Sequence, residues 1–295
     1  MKSKSFTLIE LLVVIVIIGI LAGVIMISTS SSITKASFAK AQTFSNAVQE
    51  ELLLNLVSEW TFDDLSNYGY DSWGTNNGTL HLDSLTSGAG DSSNSGPLSK
   101  SNCVYGTCLK FDGIDDYAEA TGIPLVGNTS ITMSFWAKAI ANTLGDDVLV
   151  VYGNNGTSGE CAGLYYNASI NYVRFTGWSN ALYDYSTSFV KDFNVWHYWV
   201  ITYNGSQVLI YRDGTADSNG TQSKTLNFTS GKLLIGGNSV SRFNSSIDDV
   251  RIYGAILSSF QIKQNYIVGL NSLLKNGNIS KEKHNQRIET LGVNF

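Results

Sequence analysis

Trp196-His197-Tyr198-Trp199-Val200-Ile201-Thr202-Tyr203 leads into Asn204-Gly205, then Gln207-Val208-Leu209-Ile210-Tyr211-Arg212 and Asp213-Gly214. β-Branched and aromatic side chains dominate both runs, as a pleated, packed surface requires. Asn-Gly and Asp-Gly tolerate φ > 0, so the first reads as a hairpin turn and the second marks the next turn. Similar runs occur at Ile131–Ala137, Val148–Tyr152, Tyr172–Thr176 and Lys232–Ile235, separated by Gly, Asn, Asp and Ser clusters. No helix alternates with these runs, which argues against a parallel α/β fold. From Trp60 onward the pattern predicts a β-sandwich or barrel.

The composition agrees. Of 295 residues, 43% are hydrophobic and only 15% charged, with 28 Gly, 15 Tyr and 13 Phe. That mix suits an all-β extracellular domain better than a charged cytosolic enzyme. The net charge is −5 without a basic cluster, so nucleic acid is not an expected partner. Cys103 and Cys108 are close enough to bridge around Val104-Tyr105-Gly106-Thr107, with two reduced thiols as the alternative. Neither a second cysteine pair nor a nearby His completes a zinc pattern, and Cys161 is left over. The Ser- and Gly-rich residues 83–101 read as a surface loop. The stretch from Ile256 to Leu274 reads as a short helix, and the polar tail from Lys275 as poorly ordered.

The amino-terminal region has a different character. Lys2 and Lys4 precede Ser5-Phe6-Thr7-Leu8-Ile9-Glu10, and Leu11 to Ile27 carries no charge. At about 1.5 Å rise per residue, a helix from Phe6 to Ile27 is long enough to cross a bilayer core. A carboxylate inside such a segment costs about 2.5–3.5 kcal/mol, so Glu10 requires a function and a partner. Ala36, Phe38, Ala39, Phe44, Ala47, Val48, Leu52 and Leu56 continue with helical spacing. The expected architecture is α+β, a long N-terminal α-helix followed by an all-β sandwich.

Ser5 to Glu10 resembles the processing site of type IV pilins and pseudopilins. The resemblance implies cleavage by a prepilin peptidase between Ser5 and Phe6, and N-methylation of Phe6. It also implies that Glu10 pairs with the Phe6 amine of a neighbouring subunit, and an amine and a carboxylate buried together cost far less than either alone. Two features depart from the pattern. Ser5 stands where Gly is usual, and the proline that kinks many pilin helices is absent, so a straighter helix is expected.

Three further stretches resemble the concanavalin A-like, laminin-G-like jelly-roll superfamily. They are Leu109–Tyr117 (LKFDGIDDY), Trp196–Gly205 with Tyr211–Gly214, and Ile247–Tyr253 (IDDVRIY). Trp60-Thr61-Phe62-Asp63 and Asp71–Gly78 fit its opening strands. The expected divisions are therefore a leader at 1–5, an assembly helix at 6–58, a jelly-roll sandwich at 59–268 and a tail at 269–295. The resemblance implies binding of carbohydrate or protein, with a structural calcium joining the start of the domain to its end. On this chain the implied ligands are Asp63, Asp71, Asn77, Asp248 and Asp249. The alternative is that such aspartates make turns and caps.

Catalysis is not expected. The glucanase branch needs two closely spaced glutamates on one strand, whereas the glutamates here fall at 10, 50, 51, 59, 119, 160, 282 and 289. His197 reads as structural. Trp73, Tyr166, Trp178, Tyr183 and Tyr185 lie near predicted loops and are candidates for stacking on a sugar face. The combined expectation is a filament subunit that displays a lectin-like head for adhesion. It would be a single-pass membrane precursor with a cytoplasmic N-terminus that becomes extracellular in the filament. Its partners would be copies of itself, the pilus assembly machinery, the peptidase, and a surface carbohydrate or protein. Alternatives are a minor pilin or pseudopilin of a secretion or DNA-uptake machine, or a tethered lectin that does not polymerise.

Overall fold

The structure, a computed structural model, describes residues 53–82, 96–98, 100–140, 146–167, 169–178, 182–237 and 241–292. Ser5, Phe6, Glu10 and nearly all of the expected assembly helix lie outside these residues. A compact unit begins at Asn55. Among the described residues, its strands form two antiparallel sheets and are numbered here in chain order. One sheet contains β1 (Leu56–Trp60), β3 (Gly96–Leu98), β4 (Cys108–Phe111), β6 (Ile131–Ala139), β11 (Trp196–Tyr203), β12 (Gln207–Arg212), β13 (Thr215–Ala216), β14 (Gln222–Ser223) and β16 (Ser245–Tyr253). The other contains β2 (Gly78–His81), β5 (Tyr117–Ala120), β7 (Asp146–Gly153), β8 (Cys161–Asn167), β9 (Tyr172–Thr176), β10 (Tyr185–Val190) and β15 (Leu233–Ile235). The first runs β13-β12-β11-β6-β16-β4-β3, with β1 on β16 and β14 on β12; the second runs β10-β9-β8-β7-β15-β5-β2.

The core lies between the sheets, where Phe135, Trp199, Ile201 and Ile252 of the first meet Leu149, Tyr152, Leu164 and Phe175 of the second. Every residue of β11 is buried, a pattern that an antiparallel strand shows when both its faces are covered. The outer cover comes from α1 (Ser259–Lys275) and α2 (Lys281–Thr290). Ser258 and Gln261 form a capping box at the start of α1. Ile262, Tyr266, Gly269, Leu270 and Leu273 then make its buried stripe. Tyr266 stacks on Trp136 of β6, with ring centroids 5.7 Å apart, and Trp136 meets Tyr198 of β11 at 5.3 Å.

Three expectations need correction. The helical spacing does not reach residue 58, because Leu56, Ser58 and Trp60 are buried alternately as β1 pairs with β16. The tail beyond Lys275 is ordered as α2, capped by Ser280. Arg287 anchors it by donating from Nη1 to the Trp196 carbonyl at 3.0 Å, and Leu291 is buried beside it. Within 83–101, Gly96–Leu98 pairs with β4 as a strand, while 83–95 lies outside the described residues.

The Cys103–Cys108 disulfide is formed, and Cys161 is free and buried. Burial pushes the Cys161 thiol well above its ordinary range, so it behaves as a small apolar side chain. His197 is held between two carboxylates, with Nδ1 2.6 Å from Asp213 and Nε2 2.9 Å from Asp192. Burial works against its proton, but the Asp213 charge and the bonds to both carboxylates outweigh burial and raise its pKa. Among the described residues, no helix is long and apolar enough to cross a membrane.

Candidate functional site

Asp63 and Asp248 both hold the loop of residues 104–107, beside the place where the first and last strands of the sandwich pair. Just past β1, Phe62 adopts φ 59° and is fully buried. A non-glycine residue in that region costs on the order of 1–3 kcal/mol and persists only where its surroundings hold it. The turn brings Asp63 to the disulfide-closed loop, where the Thr107 N–H donates to its Oδ1 at 2.5 Å. Gly106 lies so close that a Cβ there would be 1.9 Å from that oxygen, so a larger residue at 106 would displace the Asp63 carboxylate from this position.

From the other end of the chain, β16 shifts register between Asp248 and Arg251, with Asp249 at φ 50°. This irregularity buries the Asp248 carboxylate beneath the same loop, where Oδ2 accepts from the Val104 and Tyr105 N–H groups, each at 2.9 Å. Its Oδ1 is buried with no hydrogen-bond partner. Burial, and then the neighbouring Asp249 and Asp63 charges, push the Asp248 pKa well above the carboxylate range. Asp249 is pushed up to about 6 by burial, although Arg251 opposes the shift. Arg251 bridges Asp249 at 2.9 Å and Glu59 at 2.7 Å.

Glu59, Asp63, Asp248 and Asp249 share the junction with Arg251, and the Asp248 Oδ1 has no hydrogen-bond partner. A calcium takes six to eight hard oxygens, and these side chains could supply some of them. Asp248 and Asp63 would be its carboxylate ligands, and it would clamp the first strand to the last. The other implied ligands have different roles. Asp71 accepts from the N–H groups of Glu59, Trp73 and Gly74 on Oδ1 and of Asn76 on Oδ2, so its carboxylate organises its own loop. Asn77 Oδ1 accepts from the Asp71 N–H, and Asp249 is already neutralised by Arg251. A second acidic group, Asp112, Asp115 and Asp116, places one oxygen from each within 4.8 Å of the others and could hold a metal ion. Two of these carboxylates also cap the turn, accepting from the Asp112 and Ile114 N–H groups.

Adding calcium after chelation should therefore raise the melting temperature. At a concentration about a hundredfold above Kd, the linkage is worth about 2.7 kcal/mol, or roughly 5–10 °C for a unit of this size. Asp248→Asn should abolish the response. A melting curve that calcium does not move would remove the metal from this junction.

The five candidate aromatics separate. Tyr166 is buried in the core against Phe243 and Phe193, with centroids 4.7 and 6.0 Å away, so it does not face a ligand. Its place on the inner face follows from the strict alternation along β8, which no loop-based reading captures. Tyr185 stacks on Phe175 at 5.4 Å, and Tyr183 is partly buried against the same core. Trp73 is about half exposed (48%). Trp178, at φ 75°, packs on an outer-face cluster of Val148, Val151, Cys161 and Tyr165 and lines a cavity of about 280 Å³. Asn155, Thr176 and Asp184 also line it. Nothing marks these as site residues in the sequence, because Asn, Thr and Asp are ordinary loop residues here.

Comparison with known proteins agrees with the geometry. The family model described as the concanavalin A-like lectin/glucanases superfamily matches residues 112–263, and the prokaryotic N-terminal methylation motif matches residues 1–26. No curated protein matches the sequence. Among solved structures, Trypanosoma rangeli sialidase is similar at TM-score 0.55 and 16% identity over 72% of this chain, which spans about a third (32%) of the sialidase. Domain 4 of a GH43 extracellular arabinanase from Geobacillus stearothermophilus, in complex with arabinotriose, is similar at TM-score 0.55 and 17% identity, covering 71% of this chain and 97% of that one. The binding domain of botulinum neurotoxin serotype D is similar at TM-score 0.55 and 14% identity, covering 76% and 53%. At these identities the likeness concerns the sandwich fold. With a match over more than half of its 295 residues, the chain belongs to the concanavalin A-like lectin/glucanase superfamily and carries the methylation motif at its N-terminus.

Proposed function

We propose that this chain is a type IV pilin-like subunit whose lectin-like head mediates adhesion through carbohydrate binding. The observation that carries the reading is the presence of both a methylation motif at residues 1–26 and a lectin-like domain at residues 112–263 in one chain. In this reading, a prepilin peptidase cuts between Ser5 and Phe6 and the new Phe6 amine is methylated. The precursor sits in the membrane through its apolar segment, and the processed chain joins an extracellular filament. Glu10 then pairs with the Phe6 amine of a neighbour, which offsets the cost of about 2.5–3.5 kcal/mol for leaving its charge alone in an apolar layer. The Asp63–Asp248 junction would hold a structural calcium, and the sandwich would present the binding surface. The family includes catalytic members, but among the described residues no strand carries two glutamates, and binding is the proposed role.

The test is to express the full chain with a prepilin peptidase, shear the cell surface, and analyse the sheared fraction by microscopy and mass spectrometry. Filaments made of chains beginning at methylated Phe6 are expected, and Glu10→Ala should abolish them. An uncut chain retained in the membrane fraction would overturn the filament reading.

A further inference from the structure

We propose that the cavity beside Trp178, on the outer face of β7, β8 and β9, binds one uncharged pyranose ring. This could be a free sugar or the terminal residue of a glycan. The proposal rests on the reading of the head as a carbohydrate binder, and it names the place and the ligand class.

The walls of the cavity are held in position before any ligand arrives. Trp178 stands at φ 75°, a backbone state that is strained for a large side chain and concentrates at ligand sites. Three hydrogen bonds maintain it. The Trp178 N–H donates to Thr176 Oγ1 at 3.0 Å, Ser158 Oγ donates to the Trp178 carbonyl at 3.0 Å, and the Gly159 N–H donates to the Gly177 carbonyl at 2.7 Å. The β7–β8 hairpin is thereby latched to the β9–β10 loop, and the indole lies against the rest of the outer-face cluster.

Size and chemistry then select the ligand. At about 280 Å³ the cavity is at or just below the small end of ligand pockets, roughly 300–1,000 Å³, so it suits one ring and not a chain. Trp178, Tyr165 and Val148 offer apolar surface of the kind that takes the C–H face of a sugar. Asp184 is the charged side chain among the described lining residues. It already accepts from the Gly177 N–H at 2.9 Å and faces the Thr176 and Tyr165 hydroxyls at 3.3 and 3.4 Å. A fixed carboxylate disfavours uronates, sialates and other anionic sugars. Asn155 supplies the strongest sign of a missing partner, because both its amide nitrogen and its amide oxygen are buried without a hydrogen bond. An amide left in that state destabilises the free protein, and a hydroxyl with a donor and an acceptor to share would satisfy both atoms.

The test uses the purified full chain in detergent on an array of neutral and acidic glycans, followed by titration with the best neutral binder. Trp178→Ala should weaken binding by about tenfold, the upper end of one aromatic stacking contact. Asn155→Ala should also weaken it by about tenfold while leaving the melting temperature unchanged or higher, because its amide makes no bond in the free protein. Neutral binding that both variants retain would overturn the pocket and leave the lectin reading standing. A preference for acidic glycans would overturn the ligand class. A wild-type chain that binds no glycan would overturn the pocket and the lectin reading together.

Discussion

Replacing Arg251 with methionine is expected to destabilise the head by about 3 kcal/mol, the lower end of the range for removing one partner of a buried ion pair. The guanidinium bridges Asp249 at 2.9 Å and Glu59 at 2.7 Å, and so ties β16 to β1. The Asp249 side chain is only 4% exposed, so its charge has little access to water once the arginine is gone. The arginine side chain is 25% exposed, and this partial solvation is why the low end applies. Burial works against the Arg251 charge, but Asp249 and the other neighbours outweigh burial and hold the group more firmly protonated than a free arginine. Denaturant titration gives the loss directly. Adding Asp249→Asn and Glu59→Gln to the methionine variant should recover most of it, because no unpaired charge then remains. A single variant that loses less than about 1 kcal/mol would show that the bridge is an ordinary surface pair.

Gly269→Ala should also destabilise, by roughly 2 kcal/mol net, although helix propensity alone predicts a gain of about 1 kcal/mol. The two effects have opposite signs, and the packing decides between them. A Cβ at residue 269 would lie 2.3 Å from Trp136 Cζ2 and 2.6 Å from Cε2. Trp136 cannot retreat, since it is fully buried and flanked by Tyr266 and Tyr198. The helix α1 must therefore move off the sheet, which also strains the anchor from Arg287 to the Trp196 carbonyl. The expected melting temperature is lower by roughly 4–8 °C. Trp136→Phe in the same chain should relieve the clash, because the Trp136 Nε1 has no hydrogen-bond partner to lose. A stabilised Gly269→Ala protein would mean that α1 is not seated on Trp136 as described.

Local signals in the sequence carried much of the fold. The apolar run Trp196–Tyr203 is β11, and Asn204-Gly205 and Asp213-Gly214 are the turns that follow β11 and β12. Gly205, Asp213 and Gly214 all have positive φ, as those turns require. Cys103 and Cys108 were close enough in the chain for a bridge to be expected, with two reduced thiols as the alternative, and the bridge is formed. Of the candidate residues, Asp63 and Asp248 bond to the loop of residues 104–107, and Trp178 lines a cavity. Tyr166, Asp71 and Asn77 are engaged in the core or in their own loop.

What remained hidden has a common physical origin. β1 starts at Leu56 because residues from the far end of the chain, in β16, pair with it, and that contact outweighs the helical spacing of the preceding residues. The polar segment Lys281–Thr290 is ordered because Arg287 finds a strand carbonyl and Leu291 finds a buried position, neither of which composition reveals. The unpartnered Asp248 oxygen and the unpaired Asn155 amide exist only once the surrounding chain has excluded water from them. By itself the sequence determined the strand-and-turn periodicity, the proximity of Cys103 and Cys108 and the two family motifs, since each depends on residues close together in the chain. The tertiary structure alone decided where the sandwich begins, which helices cover it and which polar atoms lack partners, because those depend on contacts between residues far apart in the chain.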